Sequence, residues 1–220
     1  MDGLLVDSEP HWRAMEREVF ATVGLHLTDE ECKLTTGMPI PAVVQYWYAH
    51  RPWPQTPTTP SHEALGWAIT EGVHERIAYL AEPMPGALET LAFFVDRNIP
   101  TAIASASPMS LIEVVIDRLG IRNLLTLWHS ATLEARNKPA PDVYLGTARK
   151  LGVRPVNCLT FEDSGSGLQS ASTAGMRTVS VPAAFEYNDS KFALADVKIP
   201  SLLDFTATIF DALETIEHYS

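Results

Sequence analysis

Cys158-Leu159-Thr160-Phe161-Glu162-Asp163-Ser164 is an apolar run that ends on two adjacent carboxylates and a helix-capping hydroxyl. Cys158 to Phe161 is bounded like a buried strand and is too short for a helix. Ser164 is a good N-cap residue, so a helix is expected from there through Ala174. Arg177-Thr178-Val179-Ser180-Val181 reads as a second strand. Strand, helix, strand in alternation argues for parallel strands, because the helix carries the chain back to the end of the sheet where the first strand began. Upstream the alternation continues. Ala87 to Arg97 reads as a helix, Pro100 to Ala104 as a short buried strand, and Leu124 to Trp128 as another strand. Pro108 opens a helix to Leu119, at a position where its missing donor costs nothing. Pro141 to Leu151 is a further helix. The fold class is therefore α/β, a parallel sheet with helices on both faces. Ligands in such sheets bind beyond the carboxyl ends of the strands, where Ser105, Lys138 and Asp163 are expected to converge.

The first part of the chain has a different texture. From Glu9 to Ala81 the periodicity is helical with little strand signal. Trp12, Met15, Val19 and Phe20 share one face of a first helix that stops at Gly24, and a second helix runs from Pro39 or Pro41 to Tyr48. Arg51 to Pro60 is too dense in proline to continue it. Ser61 then caps a third helix whose apolar residues include Ala64, Trp67, Ile69, Val73 and Ile77, ending near Leu80. The organisation predicted is an α/β core of residues 1–8 and 84–220 with a helical cap, residues 9–83, inserted in it.

A hydrophobic content of 46% over 220 residues suffices for a sizeable core. The net charge of −11 argues against nucleic acid as a partner, since such a partner needs a basic face. A locally positive pocket for a small anion remains compatible with it. Two cysteines, Cys32 and Cys158, make no disulfide framework, and Cys158 is expected to be a buried thiol. No apolar run reaches membrane-spanning length, and a cytoplasmic monomer or weak homodimer is expected.

Four segments carry the chemistry. Met1-Asp2-Gly3-Leu4-Leu5-Val6-Asp7-Ser8 opens the chain; Ile103-Ala104-Ser105-Ala106-Ser107-Pro108 follows the first core strand; Asn137-Lys138-Pro139-Ala140-Pro141-Asp142 precedes a helix; and Glu162-Asp163-Ser164 ends a strand. Singly they are commonplace: a solvated lysine, a helix N-cap, an acidic helix start. In this order and at these spacings they resemble the four motifs of the haloacid dehalogenase superfamily, over essentially the whole chain. The resemblance implies a Rossmann-like core with a helical cap, and a Mg²⁺-dependent phosphatase working through an aspartyl-phosphate. Asp2 would be the general acid/base, protonating the leaving alcohol and then activating water. Lys138 would place positive charge beside the phosphate, and Ser105 with the backbone N–H of Ala106 would hold phosphoryl oxygens. The metal would take Asp163, the backbone carbonyl of Asp2, and Glu162 directly or through its water shell. Asp7 matches the motif too, with a structural role in the first loop and a catalytic one left open.

In that family pattern the nucleophilic Asp falls one position ahead of Met1, at the end of a central strand between those ending at Ser105 and near Glu162. Starting at Met1, the chain is expected to show two open strand edges, a hydrophobic trench between them, and no covalent phosphoryl transfer. Gln45-Tyr46-Trp47-Tyr48-Ala49-His50-Arg51-Pro52-Trp53 and the late runs Pro182–Asp189 and Phe192–Leu202 resemble bacterial hexitol-phosphate and 2-deoxyglucose-6-phosphate phosphatases, which implies a small sugar or polyol phosphate as substrate. The alternative reading of each aromatic ring there is packing in the cap's own core or against the proline-rich loop. Two alternatives stay open. One is a β-phosphoglucomutase-like sugar phosphate mutase, against which the lack of Arg or Lys just after Gly37 weighs. The other is an inactive phosphate-binding relative.

Overall fold

The computed structural model describes residues 1–36 and 38–215. The chain forms two compact units, Met1–Asp7 with Glu82–Ser220, and Ser8–Ala81.

The second unit is helical: α1 (Glu9–Ala21), α2 (Asp29–Cys32), α3 (Ile40–His50) and α4 (His62–Leu80). Ser61 caps α4 by accepting from the Ala64 N–H at 3.1 Å, as its place before the apolar run predicted. The short α2 carries a capping box between Thr28 and Glu31, a feature the periodicity reading passed over. Helices α1 and α3 pack on α4. The buried stripe of α4 is Leu65, Ile69, Val73 and Ile77, at strict four-residue spacing. Trp67, an apolar residue of the same helix, points away from that stripe and is 67% exposed. Trp47 and Trp53 are buried, with the Trp53 ring 4.9 Å from Tyr48 and 5.8 Å from Phe20. Those aromatics are core of this unit.

The first unit alternates strands and helices: α5 (Ala87–Val95), β1 (Ala102–Ser105), α6 (Met109–Leu119), β2 (Leu127–Ser130), α7 (Asp142–Leu151), β3 (Leu159–Glu162), α8 (Gly165–Thr173), β4 (Arg177–Ser180), β5 (Val197–Lys198) and α9 (Ala207–Glu214). All the pairings between these strands are parallel: Ala102 opposite Leu127 in β1–β2, Leu159 opposite Arg177 in β3–β4, and Val179 opposite Val197 in β4–β5. The second strand was expected over Leu124–Trp128; it runs Leu127–Ser130 instead, because its partner starts at Ala102 and Arg122–Leu124 tightens into a 3₁₀ turn. Cys158 lies just ahead of β3 and is half-buried, not fully buried as expected, while Cys32 is buried. Ile103, Ile112, Ile116 and Ile121 form one core cluster; Leu4, Val179, Val181, Ile199 and Leu213 form another.

The strands make two sheets, β1–β2 and β3–β4–β5, with no pairing between them among the described residues. A cavity of about 410 Å³ is lined by Ala102, Ile103 and Ala104 of β1, by Leu159, Thr160 and Phe161 of β3, and by Met1 and Leu5. The cavity thus lies between residues of β1 and residues of β3. No helix among the described residues is long and apolar enough to cross a membrane.

Candidate active site

The first residues fold into a tight turn. The Leu5 N–H donates to the Met1 carbonyl at 2.8 Å and the Gly3 N–H to that of Val6 at 2.9 Å, while the Met84 N–H ties the turn to the body through the Leu5 carbonyl at 2.9 Å. Gly3 has φ +67°, and a Cβ at that position would collide with Asp163 Oδ2. Glycine is thus required twice over, for the left-handed backbone and for the close approach of Asp163. Asp2 is held by Ser107, whose Oγ donates to Asp2 Oδ2 at 2.7 Å. The other oxygen, Oδ1, is buried and has no hydrogen-bond partner. Asp7 is exposed, and its N–H donates to the Glu82 carbonyl at 3.2 Å, a contact that closes the first loop.

Ser105 is the last residue of β1 and is buried. Its Oγ accepts from the Ser107 N–H at 3.1 Å, which curls the chain beyond the strand and leaves Ala106 exposed at the tip. Lys138 comes from the loop before α7. Its ammonium donates to Glu162 Oε1 at 2.5 Å and to the Ala104 carbonyl at 3.2 Å, with the Tyr144 hydroxyl at 3.3 Å. Glu162 ends β3, buried, and its Oε1 also receives the Tyr144 hydroxyl. Its Oε2 accepts from Ser164 Oγ at 3.3 Å, and Ser164 caps α8 through the Gly167 N–H at 3.1 Å.

Electrostatics sort the two neighbouring carboxyls. Burial works against the charged form of Glu162, but the Lys138 ammonium, the Met1 amino group and the hydrogen bonds from Lys138 and Tyr144 outweigh it and hold the carboxyl below its ordinary range. Asp163 has no such cation in contact. Burial pushes it up to about 7; the Met1 ammonium opposes this and the charge of Glu162 adds to it. Tyr144 is raised well above its ordinary value, chiefly by burial and then by Glu162. It therefore serves as a donor.

The structure thus joins Lys138 to Glu162 and to β1, and brings Asp163 against the turn that carries Asp2. Two participants escaped the sequence reading. Ser107 could have been suspected from its place two residues after Ser105. Tyr144 had no local signal, being one aromatic in an amphipathic helix.

Residues 1–181 match the haloacid dehalogenase-like hydrolase family. The chain belongs to that family. Among its relatives is hexitol phosphatase B of Escherichia coli K12, 38% identical over 212 residues that cover 94% of this chain and 92% of the relative. A fructose-1-phosphate phosphatase of the same organism is 32% identical, covering 82% of this chain and 93% of its own length. The crystal structure of CbbY from Rhodobacter sphaeroides in complex with phosphate superposes with a TM-score of 0.80 at 25% identity, covering 93% of this chain and 92% of that one.

Proposed function

We propose that this chain is a Mg²⁺-dependent phosphatase of small sugar or polyol phosphates, of the hexitol-phosphate or 2-deoxyglucose 6-phosphate kind, acting through an aspartyl-phosphate. It is a phosphoric monoester hydrolase of the haloacid dehalogenase-like family, and its relatives include phosphatases named for hexitols and for fructose 1-phosphate. The observation that carries the reading is the Lys138–Glu162 pair at the end of β3 with Asp163 turned towards the Asp2 turn. The α/β part, residues 1–8 and 84–220, is the catalytic core, and residues 9–83 are the cap that selects substrate.

The residues present fit a divalent cation. Burial disfavours the negative form of Asp163, which has no cation in contact, and Asp2 Oδ1 is a buried acceptor without a partner. Such hard oxygen donors suit Mg²⁺. Among the described residues no three His, Cys, Asp or Glu side chains form a metal cluster, and by the family motif the protein's share would be Asp163 and the Asp2 carbonyl, with Glu162 as a ligand or in the water shell. Glu162, occupied by Lys138 and Tyr144, is placed to orient the ion's water shell. When bound, the ion supplies charge neutralisation of the phosphate dianion. Lys138 adds a fixed positive charge beside it, Ser105 and the Ala106 N–H hold phosphoryl oxygens, and Asp2, steadied by Ser107, moves the proton to the leaving oxygen and later from water. The attacking carboxylate belongs, by the family motif, to the position ahead of Met1.

The test is Mg²⁺-dependent phosphate release from a panel of hexose and hexitol phosphates, comparing the 220-residue chain with a form extended upstream to place an Asp before Met1. Turnover is expected in the extended form and lost there in Asp2→Asn. Equal turnover by the 220-residue chain would mean that another nucleophile is at work.

A further inference from the structure

Strand β2 contains a histidine that the chemistry above does not use. His129 is buried, with Nδ1 2.7 Å from Lys150 Nζ and Nε2 2.6 Å from Glu134 Oε1. An ammonium can only donate, so Nδ1 accepts and the ring proton sits on Nε2, donating to the carboxylate. The result is a directed chain of hydrogen bonds from α7, through β2, into the loop that follows it. Helix α7 approaches this closely because position 146 is glycine. A Cβ there would run into Glu134 Oε1 and stand 3.0 Å from His129 Nε2.

The loop that Glu134 belongs to goes on to Lys138. Between them lies Arg136, paired with Asp142 at 2.7 Å but 68% exposed, so that contact is solvent-screened. The His129–Glu134 contact is a buried hold on the approach to Lys138, with side-chain exposures of 3% and 20%. Helix α7 also carries Tyr144, which bonds Glu162 and faces the Lys138 ammonium. One helix therefore grips both ends of the segment.

We propose that Lys150, His129 and Glu134 form a positioning relay for Lys138. It fixes the loop so that the Lys138 ammonium meets Glu162 and the Ala104 carbonyl. The proposal rests on the phosphatase reading for its catalytic consequence, though not for its geometry. The test uses Glu134→Ala and Glu134→Gln in the upstream-extended form. The Ala variant frees the loop, whereas the Gln variant keeps an oxygen acceptor for the Nε2–H. Two readouts are taken: kcat and KM for a hexitol phosphate, and the ¹⁵N signal of the Lys138 ammonium without metal or substrate, assigned by its disappearance in Lys138→Arg. In the parent that ammonium is expected to exchange slowly, being buried and bonded. Glu134→Ala should lower kcat by about tenfold or more with KM changed by less than about threefold, since misplacement of a charge acting in the transition state falls on kcat. It should also abolish the slow-exchange signal, while Glu134→Gln retains both. A Glu134→Ala protein with parental kcat and an intact Lys138 signal would overturn the relay, as would a Gln variant as impaired as the Ala one. An inactive parent would count against the phosphatase reading alone, because the ammonium signal decides the relay without turnover.

Discussion

Replacing Lys138 by Met removes one partner of a buried ion pair and keeps the aliphatic stem. The Lys138 and Glu162 side chains are 10% and 6% exposed, so solvent cannot replace the lost partner. Breaking such a pair from one side costs about 3–5 kcal/mol. At roughly 2–4 °C per kcal/mol for a chain of this size, the midpoint near pH 7.5 should fall by about 6–20 °C. The pH dependence gives the sharper test. Glu162 ordinarily ionises near 4.5, and in the fold its value is lowered, so the pair contributes stability above that pH and loses it as pH falls through the folded value. Without Lys138, burial, the largest influence on Glu162, has its strongest opponent removed, and the folded value rises. The variant then loses stability as pH climbs through 4.5, as the unfolded chain sheds a proton that the fold retains. The deficit relative to the parent should therefore be largest at neutral pH and shrink as pH falls through 4.5 towards the folded value of the parent. Thermal melts followed by circular dichroism across that range measure it, and Lys138→Met/Glu162→Gln should recover a large part of the loss. A neutral-pH deficit below about 1 kcal/mol, within the range of an exposed pair, would refute the reasoning. So would one that does not shrink towards acid.

Two further substitutions probe the same logic elsewhere. Gly3→Ala places a Cβ against Asp163 Oδ2 at a backbone with φ +67°, so a loss of about 1–3 kcal/mol and of Mg²⁺-dependent turnover in the extended form is expected, read by melts and phosphate release. Parental behaviour in both would place Asp163 away from the turn. In the helical unit, burial pushes Glu16 up to about 7, so the fold holds a proton between pH 4.5 and 7 that the unfolded chain has released. Stability should fall as pH rises across that window, by at most about 1.4 kcal/mol per pH unit, and Glu16→Gln should flatten the slope in denaturant titrations.

Much of the fold was legible because the signals are local. Ser61 and Ser164 each cap the helix they precede, since a hydroxyl and an N–H three residues on need no help from the rest of the chain. The alternation after Pro83 gave parallel strands for the same kind of reason. Where partners are distant, the reading slipped. The start of β2 was misplaced because Ala102 on another strand sets it, and which apolar residues of α4 face inward, Leu65 and Ile69 rather than Trp67, is set by its packing partners.

The sequence by itself determined which chemical groups are available and in what order: Asp2, Ser105, Lys138 and the Glu162-Asp163 pair, each at the end of a strand or in a loop. Only the tertiary structure decided who meets whom. It set Lys138 on Glu162 with Tyr144 behind them, brought Asp163 within reach of a glycine that leaves room for it, and gave His129 two charged partners from separate elements. The reason is one of range. Capping and periodicity are energies of a few adjacent residues, whereas a buried charge takes its partner and its protonation from whatever packing sets beside it.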